Sequence, residues 1–215
     1  MSALLEIKNL SVSFRTPQGE VEAVRDASFS LHPGEVLAIV GESGCGKSVL
    51  CRSIMKLLPK NGWIKSGTIL ADGADITHYT QRDMERLRGR LFSMVFQDPL
   101  TALDPTMTVG AQIAGAVRVH RPGLEKAAVR RRTLELMDLV GIPGGEDRYG
   151  RYPHDLSGGM RQRAVMAVAL AAGPRILFAD EPTTALDVTI QAQILDLLRD
   201  IQAKLGAAAV LVTHD

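Results

Sequence analysis

The chain has 215 residues, of which 46% are hydrophobic, enough to bury a substantial core in one domain. Its formal net charge of +1 gives no sign of the basic surface that nucleic-acid binding requires. The longest apolar run, residues 164–172, is well short of the roughly 20 residues of a membrane-spanning helix, and two cysteines are too few for a disulfide framework or a common zinc site.

The first third of the chain carries two kinds of strand pattern. Residues 5–31 predict antiparallel β-structure, because apolar residues alternate on either side of a turn at residues 16–19. The continuous apolar run at residues 36–40 instead predicts a strand buried on both faces of a parallel sheet. A glycine-rich loop follows, and then a helix with apolar residues as far as Leu57.

The middle of the chain predicts a helical lobe inserted between strands of a core. A short strand at residues 69–70, a helix with Thr80 as its N-cap and a buried strand at residues 91–96 precede this lobe. From about residue 98 to about residue 155, prolines and glycines separate short helices, and no strand pattern appears.

The last third alternates again between helix and strand. A helix at residues 159–172, a strand at 176–179, a long helix after Asp187 and a strand at 208–213 follow one another. This alternation around an apolar sheet is typical of a doubly wound α/β core. The single predicted domain therefore has two parts: a core with antiparallel β-structure at about 1–97 and 156–215, and the helical lobe at about 98–155.

The loop between the strand at residues 36–40 and the next helix fits the phosphate-binding pattern G-x-x-x-x-G-K-[ST]. Its residues are Gly41, Glu42, Ser43, Gly44, Cys45, Gly46, Lys47 and Ser48. Glycines let backbone N–H groups turn toward one anion, and the helix N-terminus adds positive dipole there. Lys47 supplies charge for the β- and γ-phosphates, and the Ser48 hydroxyl can bind Mg²⁺. This loop and Val49 therefore predict an ATP site, and we expect Cys45 to be alkylated without nucleotide and shielded by Mg-ATP.

Two acidic residues follow the predicted strand at residues 176–179. We expect Asp180 to act on Mg²⁺ through its water shell, and Glu181 to orient or deprotonate the attacking water. Such a pair is usually only solvated, but this pair and the phosphate loop both emerge at the carboxyl ends of parallel strands. Gln97 and His214 also follow apolar strands, although spacing alone gives neither of them a role.

A second glycine-rich turn opens the helix at residues 159–172. Its sequence is Leu156, Ser157, Gly158, Gly159, Met160, Arg161, Gln162 and Arg163. It gives the chain a second helix N-terminus suited to an anion, far in sequence from the first. The segment resembles the LSGGQ-type signature of ABC ATPases, with Met160 where glutamine is commonest.

The resemblance to ABC ATPases covers essentially the whole chain and implies the fold of that family, a P-loop core with an antiparallel β-subdomain and an inserted helical lobe. It also implies a role for residues that spacing leaves unassigned. Phe14 would lie against adenine, and Gln97 would act in catalysis and on the metal with Ser48 and Asp180. His214 would act in catalysis as the switch histidine. Residues 185–187 match the D-loop.

The same resemblance implies a nucleotide-sandwich dimer. In such a dimer the signature residues of one subunit cover the γ-phosphate that the other subunit's phosphate loop holds. The residues concerned are Ser157, Gly158, Gly159 and Gln162. The working pair could be two copies of this chain or two different chains.

Three segments look like those of peptide importers, at residues 96–99, 152–163 and 180–189. Nickel and glutathione importers look similar, so this likeness leaves the solute open. The resemblance implies a subunit that hydrolyses ATP with Mg²⁺ at the cytoplasmic face of the plasma membrane. Its partners would be a second ATPase subunit, transmembrane permease subunits and, indirectly, a solute-binding protein; no nucleic-acid partner is expected.

Two other functions fit parts of the pattern. A soluble ABC-type ATPase of DNA repair or translation usually has long insertions or two fused cassettes, and this chain shows neither. A nucleotide-binding fragment with little hydrolysis is the other, because the family normally continues beyond the switch histidine. We expect the chain to be truncated there, with His214 on a fraying terminus. Comparing ATP affinity with steady-state hydrolysis separates these interpretations.

Overall fold

The computed structural model describes residues 2–183 and 188–213, apart from the side chains of Leu100 and Val188. The strands of this part are β1 (Leu5–Thr16), β2 (Gly19–Leu31), β3 (Val36–Val40), β4 (Gly62–Ala71), β5 (Ala74–Asp75), β6 (Phe92–Val95), β7 (Ile176–Asp180) and β8 (Ala208–Thr213). They form two four-stranded sheets, with the orders β2-β1-β4-β5 and β3-β8-β7-β6.

Most of the helices lie between β6 and β8 in the order of the chain. They are α1 (Lys47–Ile54), α2 (Gln81–Glu85), α3 (Pro99–Ala102), α4 (Val109–His120), α5 (Lys126–Leu139), α6 (Gly145–Tyr149), α7 (Gly158–Leu170) and α8 (Val188–Leu205), with a 3₁₀ turn at Pro153–Asp155. The expected N-cap of α2 is confirmed, since Thr80 and Asp83 form a reciprocal capping box. None of the described helices is long and apolar enough to cross a membrane.

The first sheet is antiparallel and contains the predicted hairpin. β1 and β2 are joined by a turn at which the Thr16 hydroxyl donates to the backbone oxygen of Gly19 at 2.8 Å. β4 pairs with the other side of β1, so the strand expected only at residues 69–70 begins at Gly62. Its first part escapes the sequence pattern because a bulge interrupts the alternation where Gly67, with φ of 98°, lies against the backbone of Asn9.

The second sheet is parallel, and β7 is its most buried strand. Every residue of β7 is buried between β6 on one side and β8 on the other. The prediction that β3 is buried on both faces is wrong, because β3 lies at the edge of this sheet and Val36 and Val40 expose 52% and 63% of their surface. An apolar run predicts a strand but does not show whether that strand is central or at an edge.

Helices fill the interval between β6 and α7, as predicted. In α5 the side chains at the expected helical spacing, Val129, Thr133 and Leu136, are buried. Val129 and Leu136 belong to an apolar cluster that α4 and α5 build with α7 and α8 against one face of the parallel sheet. A second cluster joins the antiparallel sheet and α1 to the other face. The carboxyl ends of β6 and β7 are thereby held between the two clusters, and among the described residues β3 packs on the second cluster only.

Candidate functional site

The loop before α1 has a backbone that only glycine accommodates. Gly46, the N-cap of α1, has φ of 97°, and a Cβ added there would lie 2.3 Å from the backbone oxygen of Ala23 on β2. Gly44 also has a positive φ, of 81°. Because Gly46 has no side chain, it makes no capping hydrogen bond to the first N–H groups of α1. The loop thus presents a helix N-terminus, which favours an anion.

Lys47 is folded back into this loop. Its ammonium donates to the backbone oxygens of Gly41 and Glu42, at 2.6 and 2.7 Å, and lies 3.8 Å from the sulfur of Cys45. Only 6% of the surface of Lys47 is exposed. The ammonium is therefore held where the loop turns, and a phosphate bound by the loop would meet a positive charge there.

Ser48 connects the loop to the end of β7. Its hydroxyl donates to Oδ1 of Asp180 at 2.5 Å, which joins two segments 132 residues apart in the chain. The Asp180 side chain is fully buried, and its Oδ2 has no hydrogen-bond partner among the described residues. A buried carboxylate oxygen without a hydrogen bond is costly, and it marks a place for a cation or a water molecule.

The donors at this point fit a magnesium ion. Mg²⁺ prefers oxygen ligands, usually one or two from the protein together with phosphate oxygens and water. Ser48 supplies a hydroxyl oxygen, and Asp180 supplies an unsatisfied carboxylate oxygen nearby. Among the described residues no group of three or more His, Cys, Asp or Glu side chains could hold a metal by itself, so phosphate oxygens would have to complete the coordination.

Gln97 and Glu181 meet at the ends of β6 and β7. The Gln97 amide donates to Oε2 of Glu181 at 3.0 Å, and the Glu181 backbone N–H donates to the oxygen of Val212 on β8. Glu181 has φ of 45°, in the left-handed region that costs a non-glycine residue free energy. Such strain concentrates at functional sites, where it fixes the direction of a side chain. The structure thus joins Gln97 to Glu181, and a metal contact of Gln97 stays a prediction.

A cavity of about 460 Å³ adjoins the glycine-rich loop. Its walls include Ala23 and Val24 of β2 together with Cys45, Gly46 and Lys47. Phe14 does not line this cavity; its ring instead covers Gly62, where an added Cβ would lie 2.7 Å away. The contact of Phe14 with adenine therefore stays a prediction, as does the binding of ATP by Ser43 and Val49.

The second glycine-rich turn has a different construction. Ser157 is the exposed N-cap of α7, and its hydroxyl accepts a long hydrogen bond of 3.4 Å from the N–H of Met160. Gly158 and Gly159 are half-buried, and a Cβ on Gly159 would lie 3.0 Å from a methyl group of Ile190. The turn therefore lies at the surface, and its contact with a second subunit stays a prediction from the resemblance.

Gln162 does not belong to that surface, contrary to expectation. It is only 1% exposed, because one turn into α7 its position faces the interior, and neither polar atom of its amide has a hydrogen-bond partner among the described residues. In this conformation it does not reach a nucleotide on another chain. His214 and residues 185–187, the expected switch histidine and D-loop, lie outside the described residues.

Arg52 is a residue of this site that the sequence patterns above do not single out. This residue lies one helical turn after Ser48 on α1, and its Nη2 is 3.5 Å from Oδ2 of the buried Asp180. The spacing of four residues, which places two side chains on one helix face, was the available signal. Its neighbour Cys51 is buried as well; burial raises the pKa of the Cys51 thiol to about 12, with the Asp180 charge adding to the rise and Arg52 opposing it.

Known proteins share this pattern. The family described as ABC transporter matches residues 24–184, three quarters of the chain, including the glycine-rich loop, Asp180 and the second glycine-rich turn. The chain belongs to the ABC transporter family. The resemblance to ABC ATPases is thereby confirmed.

Curated relatives of this ABC protein are peptide-transport subunits. It is 52% identical to the oligopeptide transport ATP-binding protein OppD of Bacillus subtilis, matching 100% of this chain and 60% of that protein. It is 51% identical to the dipeptide transport ATP-binding protein DppD of Lactococcus lactis, over 99% of this chain and 61% of the relative. The chain thus spans about three fifths of the length of these relatives.

Solved structures confirm the fold class. The ATP-binding cassette MJ0796, a dimer bound to ADP and Pi, superposes with a TM-score of 0.85 at 27% identity, over 98% of this chain and 88% of that one. CbiO1 from Clostridium perfringens, part of the transporter complex cbiONQ, gives 0.83 at 30% identity, over 100% and 80%. The P-loop core, antiparallel sheet and helical lobe are therefore those of an ABC ATPase cassette.

Proposed function

We propose that this chain is the ATP-binding and ATP-hydrolysing part of an importer for oligopeptides or dipeptides. The observation that carries the proposal is the 2.5 Å contact between Ser48 and Asp180. It brings the phosphate loop and an acidic strand end together, as a magnesium-dependent nucleotide site requires. Neither segment alone distinguishes such a site from a glycine-rich turn or a solvated carboxylate.

Triphosphate binding rests on the loop and on Lys47. The N–H groups at the start of α1 point at the phosphates, and the Lys47 ammonium exchanges its backbone partners Gly41 and Glu42 for phosphate oxygens. When bound, Mg²⁺ supplies charge neutralisation at the β- and γ-phosphate oxygens. Ser48 and Asp180 would supply the protein's oxygen ligands to that ion.

Hydrolysis rests on Glu181. Its carboxylate, at the carboxyl end of β7, accepts a proton from the water that attacks the γ-phosphate. Gln97 positions this carboxylate through its amide hydrogen bond of 3.0 Å. Because Gln97 begins the chain segment that enters the helical lobe, a change at the phosphate can alter the position of that lobe.

The second glycine-rich turn requires a partner chain in this account. Ser157, Gly158 and Gly159 lie at the N-terminus of a 13-residue helix and would cover the γ-phosphate bound by a second ATPase subunit. The dimeric state of MJ0796 bound to ADP and Pi supports this arrangement. The second subunit is either a second copy of this chain or a similar chain.

Peptide transport is supported by the relatives named OppD and DppD. In that role the subunit would work at the cytoplasmic face of the plasma membrane with transmembrane permease subunits. A solute-binding protein would deliver the peptide to those permease subunits. Copurification of the permease subunits with this chain, followed by an ATPase assay with added di- and oligopeptides, tests this part. Stimulation by nickel or glutathione and not by peptides would contradict the proposed solute.

Replacing Glu181 tests the proposed hydrolysis. Glu181→Gln should keep ATP affinity within about twofold and lower steady-state turnover about 10²–10⁴-fold, which is the usual contribution of a general base. Glu125→Gln, an exposed change in the helical lobe, is the matched control and should leave both values unchanged.

Two results would contradict the proposal in different ways. Near-normal turnover of Glu181→Gln removes Glu181 from the role of base. Tight ATP binding by the unaltered chain without any turnover supports a nucleotide-binding module instead of an ATPase.

A further inference from the structure

Asp180 carries a buried charge that only part of its surroundings satisfies. Its side chain is fully buried, and Ser48 occupies Oδ1 with a hydrogen bond of 2.5 Å. Oδ2 has no hydrogen-bond partner among the described residues. A carboxylate in such a place needs a cation close to it, because burial of a charge without a countercharge is strongly unfavourable.

Arg52 supplies that cation, but it is held loosely. Its Nη2 lies 3.5 Å from Oδ2 of Asp180, beyond the 2.7–2.9 Å of a charge-assisted hydrogen bond. Its side chain is 43% exposed, and its buried Nε has no hydrogen-bond partner in the described part of the chain. Nothing in these contacts fixes the guanidinium beside the carboxylate, and the open side of Arg52 leaves it room to move into solvent.

We propose that Arg52 is an exchangeable counterion: it neutralises Asp180 in the nucleotide-free protein and gives way to magnesium when Mg-ATP binds. The inference rests on the proposed function, because it concerns the same metal site. Arg52 and the metal compete for one buried carboxylate, and two cations on that carboxylate would repel each other. Arg52 therefore raises the magnesium concentration at which the site becomes half occupied.

The sign of this effect distinguishes it from a purely structural role. If Arg52 merely held the site in shape, removing it would weaken magnesium binding. If Arg52 competes with magnesium, removing it strengthens magnesium binding while making the nucleotide-free protein less stable. The guanidinium and the magnesium ion would lie on either side of one carboxylate. At that distance their Coulomb repulsion can change the affinity for magnesium about tenfold, even when solvent screens it.

The test measures the magnesium concentration that gives half of the maximal thermal stabilisation at saturating ATP. Arg52→Met and Arg52→Gln should lower this midpoint about tenfold. Arg52→Lys keeps the charge and should stay closer to the unaltered chain, and the control Arg199→Met, an exposed arginine on α8, should not change it. In an Asp180→Asn background, Arg52→Met should no longer shift the midpoint. ATP affinity in EDTA should change less than about twofold.

An unchanged or raised midpoint in the neutral variants overturns the inference, and so does a shift that persists with Asp180→Asn. The glutamine variant provides the same test if the methionine variant fails to fold. Failure of the unaltered chain to bind ATP contradicts both the proposed function and the inference. Normal ATP binding with an unshifted midpoint contradicts the role of Arg52 alone.

Discussion

The glycine-rich turns that open α1 and α7 differ in what surrounds them. At α1, Lys47 is enclosed by the loop and Ser48 contacts a buried carboxylate. At α7, the N-cap Ser157 is exposed and makes one long hydrogen bond within its own turn. The first turn has the Lys47 ammonium, the Ser48 hydroxyl and the Asp180 carboxylate close together in one chain. The second turn instead has an exposed helix end that is open to another molecule.

This difference explains how similar sequences serve different purposes. Backbone N–H groups at a helix end attract an anion in both places. Only the first turn adds a side-chain ammonium and, in the function that we propose, a site for a metal ion, so we expect it to hold a triphosphate by itself. In the same proposal the second turn acts only when another chain brings the phosphate to it.

Replacing Gly46, before α1, and Gly159, in α7, with alanine should change stability and ATP binding by unequal amounts. Gly46→Ala forces a side chain into a positive-φ position and against the backbone oxygen of Ala23 at 2.3 Å, so the loop must shift. We expect it to lower the free energy of unfolding by about 3 kcal/mol and to abolish measurable ATP binding. Chemical denaturation and equilibrium binding of ATP measure these changes.

The matched substitution at the second turn is Gly159→Ala. Its Cβ would meet Cγ2 of Ile190 at 3.0 Å, so the Ile190 side chain must move by only a few tenths of an ångström, and no backbone atom of the described residues is in the way. Stability should change by less than about 1 kcal/mol, and ATP affinity should be unchanged. Equal losses in the two variants would show that the comparison between the turns is wrong.

The two cysteines give a test of the same comparison in which a smaller effect is expected. Cys45 is exposed in the first turn, whereas Cys51 is buried and its thiol has a pKa of about 12, so only Cys45 should react with iodoacetamide near neutral pH. Saturating Mg-ATP should slow alkylation of Cys45 about tenfold or more by covering the loop. Mass spectrometry of the labelled peptides reads both sites at once, and equal labelling of Cys45 with and without nucleotide would contradict the assignment of the loop.

Features that are encoded in one short, contiguous segment could be predicted from the sequence. The loop at residues 41–48 and the pair Asp180 and Glu181 are contiguous, and the rule that parallel strands end at one sheet edge predicts that they meet. Their contact through Ser48 agrees with this expectation. The hairpin, α2 with its cap and the helical interval after β6 also follow from local patterns.

Features that depend on tertiary contacts could not be predicted in this way. The edge position of β3 depends on strand order, which an apolar run does not encode. The burial of Gln162 depends on which face of α7 meets the core, and the approach of β2 to Gly46 depends on the packing of two sheets. Arg52 was the exception, because its position four residues after Ser48 gave a signal that could have been used.

The central claim is that one chain binds ATP at the first turn and a second chain completes the site with its second turn. Mixing two inactive variants tests it most directly: Lys47→Met removes the first turn's charge, and Ser157→Arg blocks the second turn. Each variant alone should show almost no ATPase, while an equimolar mixture should recover a substantial part of the unaltered rate, because a mixed pair has one intact composite site. Full ATPase activity of Ser157→Arg alone, or no recovery in the mixture despite pairing of the two chains, would contradict the account.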